Sequence, residues 1–162
     1  MADQNRSERL ASAFKRLVST AIDYNAASAE FSKPVLQIEE SVEPLNLRLT
    51  TWKKIVGGGD DYGNYWSRDV GYTRVNGRWR IVVRAMSGNH NVEEADEYEL
   101  WPFDEAPQSY RIEALDKLPD LLEELIKNAE KTAKKLKELT PDAKELAAAV
   151  KQATKEVQKE RR

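Results

Sequence analysis

Residues 70–85 read VGYTRVNGRWRIVVRA, and the Asn76-Gly77 pair at their centre decides the fold. An Asn-Gly pair between two alternating apolar runs is the strongest short-range signal for a β-hairpin with a two-residue turn. Such a turn fixes how the two strands pair, so that Tyr72 lies opposite Ile81. Because side chains alternate between the two faces of a sheet, one face of this hairpin is predicted to form the core. Its residues are Val70, Tyr72, Trp79, Ile81, Val83 and Ala85.

Two further strands are predicted beside the hairpin. Leucines that alternate with polar residues predict a first strand, and a tyrosine and a leucine set between acids predict a short fourth one. The four predicted strands span about residues 45–56, 65–75, 78–86 and 97–101. The glycine-rich segment 57–63 and the polar segment 87–96 are predicted to be loops. The fold class expected from this order is α+β, with a four-stranded antiparallel β-meander.

On both sides of the sheet the apolar residues change to the spacing of a helix. The stripe from Leu10 to Phe31 recurs at alternating intervals of four and three residues, which places it on one helix face. Ser32 and Pro34 have the character of a cap and a first-turn proline, so a second helix is predicted to begin there. The predicted helices span about residues 4–31, 34–43, 105–116, 119–139 and 141–159.

The last helical segments are longer than a small sheet needs to cover it. If they are continuous from Leu118 to Val157, they extend for roughly 60 Å at about 1.5 Å per residue. Two arrangements are left open: the chain turns back at Pro141 as a helical hairpin, or it continues and pairs with another chain as a coiled coil. The predicted helix–helix interface consists of Leu122, Leu125, Leu136, Leu139, Leu146, Val150 and Val157.

The length of 162 residues predicts one α+β domain, helical over residues 1–43, a sheet over 45–101 and helical over 104–160. The chain has no cysteine, which excludes disulfides and thiolate metal sites. No apolar run resembles a signal peptide or a membrane span, so a cytoplasmic protein without membrane contact is expected.

No catalytic, cofactor-binding or metal-binding residues are predicted. The glycines at 57–59 are followed by aspartates and a predicted strand, whereas a phosphate-binding loop needs a helix and a Lys-Ser/Thr pair. Asp60 and Asp61 lack the spacing of a calcium loop. His90 is the only histidine, lies in a polar loop and has no nucleophile motif nearby, so it is predicted to be exposed to solvent.

The most specific surface feature is a basic face of the predicted hairpin. Residues 45–90 carry eight basic and three acidic side chains, whereas residues 91–125 carry two basic and twelve acidic ones. The basic face is either an anion-binding surface or a face that the following acidic segment neutralises. The possible anion or partner surface consists of Arg78, Arg80, Arg84, Lys53 and Lys54.

All four tryptophans lie in the predicted sheet region: Trp52, Trp66, Trp79 and Trp101. Aromatic residues beside arginines are found on base-stacking surfaces, but they also have high strand propensity and fill ordinary cores. The core interpretation is preferred. Trp79 is assigned to the core by the hairpin pairing.

Three function classes follow from these features. The leading hypothesis is a non-enzymatic protein–protein interaction module, of a bacterial adaptor or immunity type, whose partner is another protein or a second copy bound through the helices. The alternative is a nucleic-acid-binding module that uses the arginine-bearing sheet face. The third class is an enzyme with a carboxylate-based site. Steep salt dependence of binding would distinguish the nucleic-acid class from the first.

Overall fold

The computed structural model describes the backbone of residues 2–160 and the side chains of residues 5–159. In chain order the elements are a helix α1 (Ala2–Val42), four strands and two further helices. The strands are β1 (Thr51–Gly59), β2 (Asn64–Val75), β3 (Arg78–Asn89) and β4 (Val92–Pro102), followed by α2 (Gln108–Leu115) and α3 (Leu118–Glu160). Among the described helices, none is both long and apolar enough to cross a membrane. The fold class is α+β, as predicted.

The sheet is a four-stranded antiparallel meander in the order β1-β2-β3-β4. The pairing inferred from the Asn76-Gly77 turn is confirmed, since Tyr72 pairs with Ile81 and Asp69 with Arg84. Both turn residues have positive φ, 49° at Asn76 and 84° at Gly77, which a two-residue hairpin turn of this kind requires. The core face is confirmed for four residues that are 0–3% exposed, while Trp79 and Ala85 are half-buried. Those four are Val70, Tyr72, Ile81 and Val83.

The predicted start of the first strand is wrong. Residues 43–45 form a 3-10 turn, and the strand begins only at Thr51. Asn46 and Arg48 have φ of 56° and 51°, which is incompatible with an extended strand. Leu47 and Leu49 still pack against the core, because an irregular segment can also alternate its side chains. The alternation was therefore real, but it belongs to a loop that leads into the sheet.

The two predicted loops of the sheet are also shorter than expected. Residues 57–59 are the end of β1 and pair with residues 65–67 of β2. A Cβ at Gly58 would lie 3.0 Å from the Trp66 indole nitrogen, so the glycine provides room for that ring. β3 and β4 extend through most of the predicted 87–96 loop and leave only His90 and Asn91 as the turn. The strands are long because the backbone N–H and C=O groups of these residues find hydrogen-bond partners on the neighbouring strand.

The helices pack on the core face of the sheet. One cluster of buried side chains joins Val70 and Ile81 to the helical segments. The rings of Phe31 and Phe103 stack with centroids 6.3 Å apart, which fixes this part of α1 beside the 3-10 turn that follows β4. The members of the cluster that lie outside the sheet are Val35, Phe103, Ala106, Ala114, Leu118, Leu121 and Leu125.

α1 is one helix, so the predicted break between residues 31 and 34 is wrong. Pro34 lies inside it, and Ser32 does not cap a helix but accepts a hydrogen bond of 2.7 Å from Arg111 of α2. A proline inside a helix removes one backbone hydrogen bond. Packing of Val35 and Ile38 against the core offsets that loss, and this tertiary contact is what the local sequence did not show.

α3 is likewise one helix with Pro141 inside it, which excludes the turn-back at Pro141 and shows that the chain continues outward. Thr140 donates a hydrogen bond of 2.7 Å to the backbone carbonyl of Leu136 rather than capping a new helix. The predicted 105–116 helix is shorter than expected and spans Gln108–Leu115, after a 3-10 turn over residues 103–105. Asp104, which lies in that 3-10 turn, accepts a hydrogen bond from Arg80.

Candidate functional site

Arg84 lies on the face of the sheet opposite the core face. Its Nη2 lies 3.0 Å from the Asp69 carboxylate, which is 9% exposed. Its guanidinium carbon lies 3.8 Å from the centroid of the Trp52 ring. That ring covers Gly71, where a Cβ would lie 2.3 Å from it. Arg84 is therefore ion-paired with Asp69 and stacked on Trp52, so its positive charge is neutralised within the chain.

Arg80 and Arg78 are paired with carboxylates from elements that flank the sheet. Arg80 donates to Glu39 of α1 at 3.1 Å and to Asp104 at 2.9 Å. Arg78 lies 3.2 Å from Glu43, and its side chain is 63% exposed. Of the three predicted arginines, Arg78 is the one whose charge is mostly open to solvent.

The two predicted lysines point to opposite faces of the sheet. Lys53 pairs with Val70 and therefore lies on the helix-covered face, whereas Lys54 pairs with Asp69 on the other one. The predicted anion or partner surface is thus divided between two faces, and all three of its arginines are ion-paired within the chain. It remains a prediction, and the structure supplies no continuous patch of free cations for it among the residues it describes.

Trp66 borders an open groove that the sequence did not predict. The groove has a volume of about 640 Å³ and is lined by strands β2, β3 and β4 and by Tyr110 of α2. Arg68 lies 5.3 Å from the Trp66 ring centroid and 4.8 Å from that of Tyr110. Two hydrogen bonds of 2.8 and 3.0 Å hold the Arg68 guanidinium to Glu113. The sequence signal for this groove is the spacing of Trp66 and Arg68, which are two residues apart and therefore lie on the same face of one strand.

The hairpin loops at the far end of the sheet hold a small polar cluster. His90 is exposed, as predicted, and its ring stacks on Tyr65 with centroids 4.6 Å apart. A hydrogen bond with Asp96 raises the pKa of Tyr65. Within residues 5–159, no group of His, Asp or Glu side chains is arranged to hold a metal ion.

Asp60 organises the turn between β1 and β2. Its carboxylate accepts a hydrogen bond of 2.9 Å from the Asn64 side chain, and others from the backbone N–H groups of Tyr62 and Asn64. These bonds, that of the Asn64 side chain foremost, hold the pKa of Asp60 below its usual 3.8. The role of Asp60 is that of a turn residue.

The N-terminal part of α1 extends away from the sheet with an exposed apolar stripe. We call residues 5–27 the N-terminal arm, in which every side chain except half-buried Ala21 is exposed. Large apolar side chains of soluble proteins are mostly buried, so a contiguous exposed stripe indicates an interaction surface. Its members, with their exposed fractions, are Leu10 72%, Phe14 62%, Leu17 62%, Val18 47%, Ile22 66% and Tyr24 54%.

The last part of α3 extends from the sheet in the same way. We call residues 133–159 the C-terminal arm, and all of its side chains are exposed. The predicted helix–helix interface is therefore divided. Leu125 is 3% exposed and belongs to the core, and Leu122 is half-buried. The other five residues lie on the arm: Leu136 63%, Leu139 49%, Leu146 70%, Val150 68% and Val157 50% exposed.

Buried polar contacts anchor the base of α1 to α2. Arg111 is 7% exposed and donates to Ser32, Ser28 and Gln108 at 2.6–2.7 Å. Glu39, 3% exposed, bonds both Arg80 and the backbone N–H of Ile81. Fixed partners at both of these points hold α1 in one position against the sheet.

The comparisons with known proteins give no relative: no family model matches this chain, nor does a curated protein or a solved structure.

Proposed function

We propose that this protein is a non-enzymatic protein–protein interaction module, in which a folded sheet unit carries two helical arms that bind partner proteins. The observation that carries the proposal is the pair of exposed apolar stripes on the N-terminal and C-terminal arms. An adaptor role is one that such a module would fit.

The apolar stripes are regular enough to pack against other helices. On the N-terminal arm, Leu10, Phe14, Leu17, Ala21 and Tyr24 keep the alternating intervals of four and three. On the C-terminal arm the same intervals run from Leu136 to Val157. Apolar residues that repeat in this way over several heptads are typical of coiled coils and helical bundles, in which another helix covers the stripe.

The sheet unit supplies the rigidity that an arm needs. Glu39 and Arg111 anchor α1, and Leu121 and Leu125 anchor the start of α3 in the core. An arm that is fixed at its base loses less conformational freedom when it binds than a free peptide does. The sheet thus favours binding even where it does not contact the partner.

The nucleic-acid alternative has weaker support. It depends on unpaired cations on one face, whereas Arg80 and Arg84 each bond a carboxylate of the same chain. Displacing those carboxylates with phosphate would exchange one ion pair for another and gain little. The protein-binding proposal requires no such exchange, because the apolar stripes are exposed as they stand.

Photo-cross-linking in cells that make the protein tests this proposal. A photoreactive residue is placed at Leu17 or Leu146 on the stripes, with matched controls at Ser19 and Lys155 on the outer faces of the same helices. We expect cross-links to protein from the stripe positions and few from the controls. Equal cross-linking from both faces, or none from either stripe, would contradict the proposal.

A further inference from the structure

Building on the proposed function, we infer that the C-terminal arm binds a second copy of this chain. The two arms run antiparallel, and their two-fold axis lies between Ala143 and Leu146. The inference depends on the exposure of this arm and on the order of large and small residues along it. A symmetric contact of this kind uses the same surface on both copies, so the surface must be complementary to itself.

The arm follows one heptad pattern without interruption. From Thr132 to Val157 the stripe residues recur at alternating intervals of four and three. The pattern continues past Pro141, which lies on the outer face of the helix. Large and small side chains both occur in the stripe, and their order is uneven. In sequence the members are Thr132, Leu136, Leu139, Ala143, Leu146, Val150, Ala153 and Val157.

Antiparallel pairing places two of the three leucines in the stripe opposite alanines. About an axis between residues 143 and 146, Leu136 meets Ala153 of the second copy, and Leu146 meets Ala143. Leu139 then meets Val150. Each contact occurs twice because of the two-fold symmetry. Cores are stable when large and small residues alternate across the interface, since this fills space without overlap.

A parallel, in-register pair fits less well. It would place Ala143 opposite Ala143 and Ala153 opposite Ala153, which leaves small layers between layers of paired leucines. Unfilled space of this kind costs stability in proportion to its volume. Displacing the antiparallel pair by one heptad brings Ala143 opposite Ala153 in one direction and Leu136 opposite Leu146 in the other, so the Leu146–Ala143 and Leu136–Ala153 contacts are lost in both.

The residues that flank the stripe favour the same arrangement. On one side, Lys135 of one copy lies beside Glu156 of the other, so that two opposite-charge pairs form in each dimer. On the other side every flanking residue is small, which allows the two backbones to approach closely. These small residues are Ala133, Thr140, Ala147 and Thr154.

A groove at the base of the arm lies where the partner's helix would end. It has a volume of about 530 Å³, and its walls include Leu49, Thr132, Leu136 and Leu139. In the antiparallel pair, Val157 of the second copy lies opposite Thr132, at this groove. The two α3 helices overlap over residues 132–157, a length of about 40 Å at ~1.5 Å per residue, and the two sheet units lie at opposite ends.

The N-terminal arm has the same kind of self-complementarity. An antiparallel pair centred between Phe14 and Leu17 places these two opposite each other and Leu10 opposite Ala21. The centre lies roughly 23 Å from Phe31, where α1 joins the core, and the other centre lies roughly 25 Å from Asn128, at ~1.5 Å per residue. The two contact centres therefore lie at similar distances along their helices from the sheet unit.

The mass in solution is the first test. Light scattering across a dilution series is expected to give twice the 18.5 kDa of one chain. Leu146→Glu would place two carboxylates in the centre of the contact and weaken association by roughly a hundredfold or more. The tryptophans lie in the sheet unit, so unchanged tryptophan fluorescence shows that the variant is folded. A mass of one chain at every concentration overturns the inference.

The direction of the helices is tested with charge reversal. Lys135→Glu alone and Glu156→Lys alone each produce like charges, and each is expected to weaken the dimer by roughly five- to tenfold. The double variant K135E/E156K restores opposite charges and is expected to regain most of the affinity. No recovery in the double variant would contradict this antiparallel alignment.

Because the chain has no cysteine, cross-linking can confirm the alignment. A mixture of Lys135→Cys and Glu156→Cys chains is expected to cross-link with a short bis-maleimide. Neither variant alone should do so, since its two thiols would be roughly 25–30 Å apart. Cross-linking of either variant by itself overturns the alignment. A monomeric wild type whose stripes still cross-link to another protein would reject the second copy and leave the proposed function standing.

Discussion

The carboxylate of Glu39, in α1, accepts a hydrogen bond of 2.8 Å from the backbone N–H of Ile81, in β3. β4 pairs with β3 only from Val82 onward, so the N–H of Ile81 lies at the uncovered end of that strand edge. An unpaired buried backbone N–H is costly. The Glu39 carboxylate therefore accepts the hydrogen bond that a backbone carbonyl of a neighbouring strand would otherwise accept, and it joins α1 to the sheet.

Glu39→Ala is expected to destabilise the protein by about 2–4 kcal/mol, because it leaves the Ile81 N–H without an acceptor and removes one partner of Arg80. Urea unfolding followed by tryptophan fluorescence measures the change. Glu40→Ala is the matched control, since Glu40 is the exposed neighbour on the same helix, and it should change stability by less than about 0.5 kcal/mol. Equal effects of the two variants would show that the contact does not stabilise the fold.

Arg84→Gln is expected to cost about 2–4 kcal/mol, since it leaves the Asp69 carboxylate, 9% exposed, without its cation. Arg78→Gln should leave stability almost unchanged, because the Arg78–Glu43 pair lies in solvent. Both are measured by chemical unfolding. If Arg84→Gln instead left stability unchanged and abolished binding to a nucleic acid, the basic face would have a binding role after all.

Leu125→Ala and Leu146→Ala remove the same side chain from two places on α3. Leu125 is 3% exposed in the core, so its loss should destabilise the sheet unit by about 2–5 kcal/mol at any protein concentration. Leu146 is 70% exposed, so its loss should not affect the unfolding of the sheet unit and should weaken only self-association. Thermal unfolding at two concentrations separates these effects. A concentration-independent loss of stability in Leu146→Ala would place that residue in the core of its own chain.

The turn at Asp60 should respond to acid. The folded-state pKa of Asp60 is held below 3.8 by its hydrogen bonds, that from the Asn64 side chain foremost. Their stabilisation is thus complete above the unfolded pKa and is lost as the pH falls through the lower folded value. The backbone amide signals of Tyr62 and Asn64 should therefore shift in NMR spectra with a midpoint below pH 3.8. Asp60→Ala should remove this titration, and a midpoint above 3.8 would contradict the proposed hydrogen bonds.

The prolines show where sequence reasoning stops. The sequence predicts a helix start at Pro34 and leaves open whether the chain turns back or continues at Pro141, and each proline lies inside one long helix. Around Pro34, core packing of Val35 offsets the lost backbone bond. Around Pro141 the neighbouring alanines, lysines and leucines are strong helix formers. A proline weakens a helix by a few kcal/mol at one point, and the sum over the remaining residues decides whether the helix continues.

The candidate surfaces could be predicted only in part. The C-terminal stripe follows from residue spacing alone, and its five outer members are exposed as an interface requires. Spacing alone could not show that Leu125 lies in the core while the later stripe residues are exposed, because core and arm residues follow the same heptad pattern. The arginine face was located by the hairpin pairing, but its neutralisation by Glu39 and Asp104 involves residues 41 and 24 positions away.

By itself, the sequence determined the Asn76-Gly77 turn, the strand pairing that follows from it and the face of the hairpin that becomes the core. These depend on φ angles and on alternation between near neighbours, which are local properties. The tertiary structure alone decided which arginines are paired, that α1 completes the edge of β3, and where α3 leaves the core. Those outcomes depend on which distant side chain lies beside each buried polar group, and no local pattern specifies that.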